Sequence, residues 1–381
     1  MSPLHRGDLK LGSDSLGRCF TGCLLGGAVG DALGAPVEFL EYPEIIQRFG
    51  PAGITSYAPA YGRLGAITDD TQMTLFTAEG LIRRHVRLMR RGIASTEGMV
   101  AAAYARWLKT QSRQAPWGDE DDDRAGWLYS HADLHHRRGP GETCLAALRA
   151  MRSMGDPACN DSKGCGGVMR MAPVGLVLGQ QGAAPRETMR LGKSLAALTH
   201  GHPTGYIAAG AFAVLIAEVV QGRDLKEALA VVHECLADEP EGRETEEALT
   251  QGESCAASLS DNPVQAIARI GGGWIAEEAL GIAVYCALTA QDFADGVIRA
   301  VNHSGDSDST GSITGNILGA LWGVEAIPPS FLEPLELREV IAELAQDLAA
   351  FMTWDIGEYD DVGAKPDRAL QERVRQKYPG C

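Results

Sequence analysis

The sequence predicts an all-α protein built as a single domain. Apolar residues recur at helical spacing in almost every segment, and these segments are rich in Ala, Leu and Gly. Alternating runs rich in Val, Ile and Thr, which are typical of strands, are scarce. No internal repeat of the length used by solenoids is evident. We therefore predict one compact multi-helix domain over residues 18–355, preceded by a flexible leader over 1–17 and followed by a polar tail over 356–381.

The individual helices follow from local patterns. The first is rich in Gly and Ala and is stopped by Pro36; its small residues permit another helix to approach closely. The helix after Asp70 ends in a run of arginines, which complements the negative end of the helix dipole. Helices are predicted over 18–39, 71–90, 95–110, 144–154, 186–199, 207–220, 293–302, 313–322 and 337–352, with a core helix ending at 288 and two exposed helices within 224–258.

The charge balance excludes one class of partner. The chain carries 34 Lys and Arg against 50 Asp and Glu, a net charge of −16, and it has no long basic patch. A nucleic-acid partner is therefore not expected. Because an acidic protein repels anionic substrates, a phosphate-bearing ligand must be held by local devices, namely backbone N–H groups, a metal or a single Arg.

Cysteine usage and hydropathy bear on the compartment. The nine cysteines are scattered, and no two Cys-x-x-Cys pairs occur, which favours reduced thiols in a cytoplasmic protein. No apolar run is expected to reach the roughly 18 residues of a membrane span, so we expect no membrane partner.

Two acidic clusters carry the most informative chemistry. The stretch from Gly305 to Gly311 includes Asp306 and Asp308, and a second cluster contains Asp69 and Asp70. Either cluster alone is explained by helix capping, since Asp, Ser and Thr are favoured at helix starts. Together, their oxygen atoms suit a hard cation such as Mg²⁺. An EF-hand interpretation fails, because position twelve of the loop is an isoleucine where a glutamate is required.

The cation hypothesis requires the two clusters to meet. Asp70 and Asp308 are 238 positions apart, and sequence spacing alone does not bring them together. If the four carboxylates converged, each pair at 4 Å would repel by about 4 kcal/mol at an effective dielectric constant of 20. Such a cluster therefore needs cations.

Several motifs together resemble the ADP-ribosylglycohydrolase family, which includes the bacterial dinitrogenase-reductase-activating glycohydrolase and the animal ADP-ribosylarginine hydrolases. The resemblance runs from about residue 19 to 322. It rests on Thr68-Asp-Asp-Thr71, the 305–311 stretch, Gly30-Asp31 with Glu38, the Gly-rich run 164–173, and the 199–206 pattern Thr-His-x-x-Pro-Thr-Gly-Tyr.

The resemblance implies an all-α domain with a dinuclear metal site between helices. Two Mg²⁺ ions, or Mn²⁺ in their place, are expected on Thr68, Asp69, Asp70, Asp306, Asp308 and Ser309. The implied catalytic residues are Glu38, Asp69, Asp70 and Asp306, with Glu38 contacting the distal ribose or activating water. The implied substrate-binding residues are Gly164, Gly166, Gly167, Val168, Met169, His200, Tyr206, Ser304 and Gly305.

Some residues near these motifs receive another interpretation. Cys165 stands where some bacterial relatives carry Asn, and it is given no role because a thiol cannot make the same amide hydrogen bond. Arg170 is expected to be structural and buried with a partner. A purely structural role for His200 is as well supported as a role at the ligand.

The function implied is a Mg²⁺-dependent hydrolase that removes ADP-ribose from modified proteins, most readily from arginine. One alternative is the hydrolysis of serine-linked or ester-linked ADP-ribose. Another is a binding protein that neutralises an ADP-ribosyltransferase toxin, contacting it through residues 1–17 or the acidic loop 119–123. That loop is otherwise explained as a solvated surface segment.

Overall fold

The computed structural model describes residues 13–111, 125–258, 262–357 and 367–380. Within those ranges the chain is helical and contains no strand, only two isolated bridges, so the all-α prediction is confirmed. The helices are α1 Ser13–Gly34, α2 Tyr42–Phe49, α3 Asp69–Arg91, α4 Thr96–Gln111, α5 Glu142–Ala150, α6 Ala172–Gln181, α7 Pro185–Ala196, α8 Pro203–Val220, α9 Leu225–Ala237, α10 Arg243–Ala257, α11 Pro263–Ile270, α12 Ala276–Thr289, α13 Phe293–Val301, α14 Ser307–Trp322, α15 Pro329–Leu332, α16 Arg338–Ala350 and α17 Arg368–Lys377.

Each helix predicted from the sequence is present, most of them with ends shifted by a few residues. Five further helices were not predicted, namely α2, α6, α11, α15 and α17, and the first four of these have proline in the first turn. Proline is well placed there because the N–H it lacks has no partner inside the helix.

The C-terminal segment is attached to the domain. Residues 368–377, within the predicted polar tail, form α17, which contributes the buried Val374. Tyr378 follows it, fully buried, with its ring stacked on Trp354 at a centroid distance of 5.9 Å. At the other end, α1 begins at Ser13, so part of the predicted leader is helical.

Helices α1 and α14 are antiparallel and are held in backbone contact by glycines at every fourth position. A Cβ placed on Gly22, Gly26 or Gly30 would lie 2.3, 2.3 and 1.9 Å from the carbonyl oxygens of Gly319, Gly315 and Gly311. The next position along α1, Gly34, meets the carbonyl oxygen of Ser307 in the same way, at 2.3 Å. Only glycine permits an approach this close. The end of α1 is therefore fixed against the start of α14, where the second acidic cluster lies.

Helix α8 lies in the hydrophobic core. By length and composition it could cross a membrane, since its 18 residues have a mean hydropathy of 1.6, so the expectation that no apolar run reaches that length is wrong. However, 89% of this helix is buried inside the domain. Its apolar character is explained by contacts with α6, α7, α9 and α12 on several sides.

The glycine contact can be tested by substitution. We expect Gly30→Ala to destabilise the fold by about 3 kcal/mol or more, because the added carbon overlaps a backbone carbonyl that cannot rotate away. Gly17→Ala is the matched control, since it lies in the same helix with nothing within 4 Å of the new carbon. The control should gain about 0.5–1 kcal/mol. Urea denaturation measures both, and equal stability of the two variants would contradict the helix contact.

Candidate active site and metal centre

The buried carboxylate of Asp31 connects the end of α1 to the start of α3. It accepts hydrogen bonds from the backbone N–H of Thr68 at 3.0 Å, from the backbone N–H of Thr71 at 3.1 Å, and from the Thr71 hydroxyl. These N–H groups belong to the first turn of α3, where no intrahelical acceptor is available. Asp31 therefore sets the position of the first acidic cluster relative to α1.

The first cluster is held by backbone bonds at the start of α3. The Thr68 hydroxyl accepts from the N–H of Asp70 at 3.3 Å and caps the helix. The Asp69 carboxylate accepts from the N–H of Gly141 at 3.2 Å. Asp70 is different, because its Oδ1 atom is buried and has no hydrogen-bond partner. A buried carboxylate oxygen without a partner is costly and is the type of atom that a cation would satisfy.

The second cluster lies at the start of α14. Asp306 caps the helix by accepting from the N–H of Ser309 at 3.3 Å, and Asp308 accepts from the same N–H at 2.9 Å. The other Asp306 oxygen, Oδ2, accepts from the thiol of Cys165 at 2.8 Å. Both aspartates are almost completely buried.

The two clusters and Glu38 meet at one cavity of about 200 Å³. One carboxylate oxygen from each of Glu38, Asp306 and Asp308 lies within 4.8 Å of the others. Asp69 and Asp70 line the same cavity. The convergence that sequence spacing could not show is therefore present. Larger cavities of about 330 and 480 Å³ lie elsewhere in the described part of the protein, but neither of them is lined by three carboxylates.

Burial and mutual repulsion make this cluster unfavourable in its ionised form. Burial raises the pKa of Glu38 to about 10, with further contributions from the charges of Asp308 and Asp306. Burial and Asp308 also raise the pKa values of Asp69, Asp70 and Asp306 well above the ordinary range of a carboxyl. Two charges 4.8 Å apart repel by about 3.5 kcal/mol at an effective dielectric constant of 20.

The residues fit a bound cation. Glu38 Oε2, like Asp70 Oδ1, is buried without a hydrogen-bond partner. Carboxylate and hydroxyl oxygens are the ligands that Mg²⁺ and Mn²⁺ prefer. Positive charge would remove both the repulsion and the unsatisfied oxygens.

A Gly-rich loop forms another wall of the cavity. Gly164, Gly166 and Met169 line it, as predicted, together with His200. The His200 Nδ1 atom lies 2.8 Å from the Thr199 hydroxyl, and burial with the nearby Arg170 lowers the pKa of the imidazole to about 3. His200 is therefore neutral at physiological pH and presents an uncharged ring to the cavity.

Other predicted substrate contacts do not line this cavity. Gly167 and Val168 belong to the same loop but are buried, and Tyr206 lies on α8 with its ring 5.9 Å from the Lys193 ammonium. The Ser304 hydroxyl accepts from the N–H of Tyr42, and Gly305 is pressed against the backbone of Gly272. Their assignment to substrate binding stays a prediction. Among the predicted metal ligands, Thr68 acts as the helix cap and Ser309 lines the cavity.

The structural expectation for Arg170 is confirmed. Its guanidinium is fully buried, donates to the Thr199 hydroxyl at 2.6 Å, and lies 4.5 Å from the centre of the Tyr104 ring. It supports His200 from behind rather than facing the cavity.

Sequence reasoning missed three residues of the site: Asp31, Cys165 and Trp274. Asp31 stood inside a quoted motif, and its position one residue after Gly30 could have indicated contact with α14. Cys165 lines the cavity beside Asp306. Trp274 lies at the mouth, stacked on Phe39 with ring centroids 5.8 Å apart and planes at 21°. No pattern in the sequence pairs Trp274 with Phe39, because they are distant along the chain.

Comparison with known proteins agrees with this geometry. The family model for ADP-ribosylglycohydrolase matches residues 13–356. The chain is 27% identical to an ADP-ribosyl-[dinitrogen reductase] glycohydrolase of Rhodospirillum rubrum, over 83% of this chain and 90% of that protein. It is 24% identical to an ADP-ribosylarginine hydrolase of Pseudomonas putida, over 86% of this chain and 76% of that protein.

A solved structure agrees as well. A chain of an ADP-ribosylglycohydrolase-related protein complex superposes with a TM-score of 0.65 and 26% identity, covering 89% of this chain and 99% of that chain. The match of the family model across nearly the whole described domain settles the assignment. The chain belongs to the ADP-ribosylglycohydrolase family, whose members hydrolyse ADP-ribose from proteins.

Proposed function

We propose that this protein is a Mg²⁺-dependent hydrolase that cleaves ADP-ribose from arginine side chains of modified proteins. The observation that carries the proposal is the meeting of both acidic helix starts and Glu38 at one cavity walled by a Gly-rich loop. Carboxylates in that number suit a cation, and glycine backbone suits a phosphate. Family membership supplies the reaction class.

Asp69, Asp70, Asp306, Asp308 and Ser309 would hold the cations, with Thr68 as a further candidate ligand. Bound Mg²⁺, or Mn²⁺ in its place, supplies Lewis-acid charge that orients ribose hydroxyls and lowers the pKa of water. Because these ligands are all oxygen atoms, they favour Mg²⁺ or Mn²⁺ over a softer metal ion. We propose two ions for two reasons. The aspartates come from two separate helix starts, and the negative charge of four ionised aspartates exceeds the positive charge of a single divalent ion.

The side chains at the cavity would act directly on the substrate. The unpartnered Oε2 of Glu38 can accept a hydrogen bond from the attacking water or from a ribose hydroxyl. The C1″–N bond breaks, the water oxygen adds to C1″, and the proton passes to the leaving guanidine. Positive charge develops at C1″ in the transition state, and carboxylates around the cavity stabilise it.

Two features of the cavity mouth favour an arginine linkage. Phe39 and Trp274 form a stacked pair that is 74% and 46% exposed. A planar guanidinium stacks well on aromatic rings, and the contact is worth about 0.5–2 kcal/mol. The five carboxylates behind the pair, when ionised, carry one negative charge more than two Mg²⁺ ions balance, and this remaining charge attracts a cation. A serine or ester linkage has no charged leaving group and gains neither contribution. The similarity to an ADP-ribosylarginine hydrolase agrees with this preference.

The toxin-binding alternative gains nothing from the described residues. The acidic loop 119–123 lies outside them, and so do residues 1–12 of the leader. The cytoplasmic location also stays a prediction, with eight free thiols in the described ranges as its support.

The proposed substrate can be tested with a panel of linkages. Proteins mono-ADP-ribosylated on arginine or on serine are incubated with Mg²⁺ or with EDTA, and free ADP-ribose is followed by mass spectrometry. We expect release that requires Mg²⁺ and is faster from arginine. Trp274→Ala should lower kcat/KM for the arginine substrate by about three- to thirtyfold, the loss expected for one cation–π contact, and should change the serine substrate little.

Trp322→Ala is the matched control for the linkage panel. Trp322 has a similar exposure, 40%, but lies at the far end of α14. It should leave both substrates unaffected. Release that continues in EDTA would contradict the metal requirement, and an equal loss on both linkages in Trp274→Ala would contradict the guanidinium contact.

The carboxylate pKa values predict how metal binding depends on pH. Burial and the charge of Asp308 raise the pKa of Asp31 to about 7, from 3.8. The folded metal-free protein therefore binds protons that the unfolded chain releases, so its stability falls as pH rises from about 4 through 7. Mg²⁺ would replace the protons of the four aspartates proposed as its ligands, whose pKa values burial also raises, and its positive charge would favour the ionised form of Asp31. Mg²⁺ should raise Tm more at pH 8 than at pH 6.

Thermal melts of EDTA-treated protein, with and without Mg²⁺, measure this difference. KCl at equal ionic strength is the control, because it provides the same screening without a divalent ion, and only the part of the Mg²⁺ effect that exceeds the KCl effect is attributed to binding. An equal Mg²⁺-induced rise in Tm at both pH values would show that the raised carboxylate pKa values are not coupled to metal binding.

A further inference from the structure

Cys165 places a sulfur atom inside the oxygen-rich cluster. It begins the short 3₁₀ turn Cys165–Gly167, and its backbone is fixed on both sides. Its N–H donates to the Trp274 carbonyl at 3.1 Å, and its carbonyl accepts from Val168 and Met169. The side chain lines the cavity, with Sγ 2.8 Å from Asp306 Oδ2. The loop cannot readily withdraw this thiol from the site.

A second observation indicates that a cation belongs beside this thiol. Asp70, only 3% exposed, lines the same cavity and has an Oδ1 atom without a hydrogen-bond partner. The unsatisfied oxygen and the sulfur therefore border one space. A hydrogen bond from the thiol to Asp306 explains the position of Cys165 but leaves Asp70 Oδ1 unsatisfied.

We propose that Cys165 is a sulfur ligand that lets this site bind a thiophilic divalent cation, such as Zn²⁺, Co²⁺ or Cd²⁺, together with Asp306. Thiolates favour these ions over Mg²⁺, whereas an all-oxygen site favours Mg²⁺ or Mn²⁺. A thiophilic ion therefore competes with Mg²⁺ for the centre. The proposal rests on the acidic cluster being a metal site and is independent of the linkage that is hydrolysed.

The geometry and the proton balance are both reasonable. Zn–S and Zn–O distances of about 2.3 and 2.1 Å at a tetrahedral angle place the two ligand atoms about 3.6 Å apart. The present distance from Sγ to Oδ2 is 2.8 Å. Rotations of the two side chains that move these atoms apart by less than about 1 Å would therefore make room for the ion. On binding, the thiol proton is released to buffer, a metal–sulfur bond forms, and the hydrogen bond to Asp306 is lost. No oxidant or reductant is needed.

Cobalt spectroscopy tests this inference without any substrate. Co²⁺ is added to the full-length, EDTA-treated and desalted protein, and the sulfur-to-cobalt charge-transfer band in the near ultraviolet is recorded. Bound cobalt is counted by equilibrium dialysis. We expect the band to saturate at no more than two bound cobalt ions per chain, the number of ions proposed for the site. The band should decrease when excess Mg²⁺ is added.

Two variants separate the site from other thiols. Cys165→Ser retains a hydroxyl that can donate to Asp306 but removes the sulfur, so the band should disappear and the affinity for Zn²⁺ should fall by at least about tenfold. Cys159→Ser removes the exposed thiol and should keep the band. Circular dichroism and Tm establish that both variants are folded.

Three results would overturn the proposal. They are a charge-transfer band of equal strength in folded Cys165→Ser, bound cobalt without a band in the wild type, and a band that excess Mg²⁺ does not reduce. Failure of ADP-ribose release in the linkage panel leaves this readout unaffected, so failure of the proposed function and failure of this proposal can be told apart.

Discussion

The backbone contact between α1 and α14 is the constraint on which the site depends. Glycines at every fourth position, ending with Gly30 and Gly34 on α1, let the two helices touch without side chains between them. Because the helices are antiparallel, the end of α1 meets the start of α14. Asp31 and Glu38 are thereby brought to Asp306 and Asp308. A methyl group on one of these glycines would push the helices apart and lengthen the distances between the carboxylate oxygens that a cation would bridge.

The rest of the fold opposes the repulsion that this contact creates. The Asp31 carboxylate accepts three hydrogen bonds from the first turn of α3. Helix α3 in turn contributes Asp69 and Asp70 to the cavity. Each buried hydrogen bond to a charged group is worth about 1.5–3 kcal/mol, which is comparable to the repulsion of one carboxylate pair. The protein thus holds the carboxylates together at a cost in stability, which the proposed cations would offset. This is the physical link between the packing of the fold and its proposed chemistry.

The sequence predicted the helices and the acidic clusters well, because both are local patterns. Helical spacing identified α3 and α14, and capping chemistry placed Asp69 and Asp306 at helix starts. It did not predict the convergence of those starts, which depends on glycine contacts between residues almost 300 positions apart. Trp274 was missed for the same reason. Tyr206 and Ser304 were assigned by motif alone; neither lines the cavity, and their assignment to substrate binding stays a prediction.

The most direct test of the account is a measurement of Mn²⁺ binding by equilibrium dialysis, comparing the wild type with Asp70→Ala and Asp308→Ala. Asp292→Ala is the matched control, since Asp292 caps α13 through the same type of bond outside the site. If the two helix starts build one centre, loss of either carboxylate should weaken the binding of every ion, and the control should bind as the wild type does. Unchanged Mn²⁺ binding in both site variants would contradict the account.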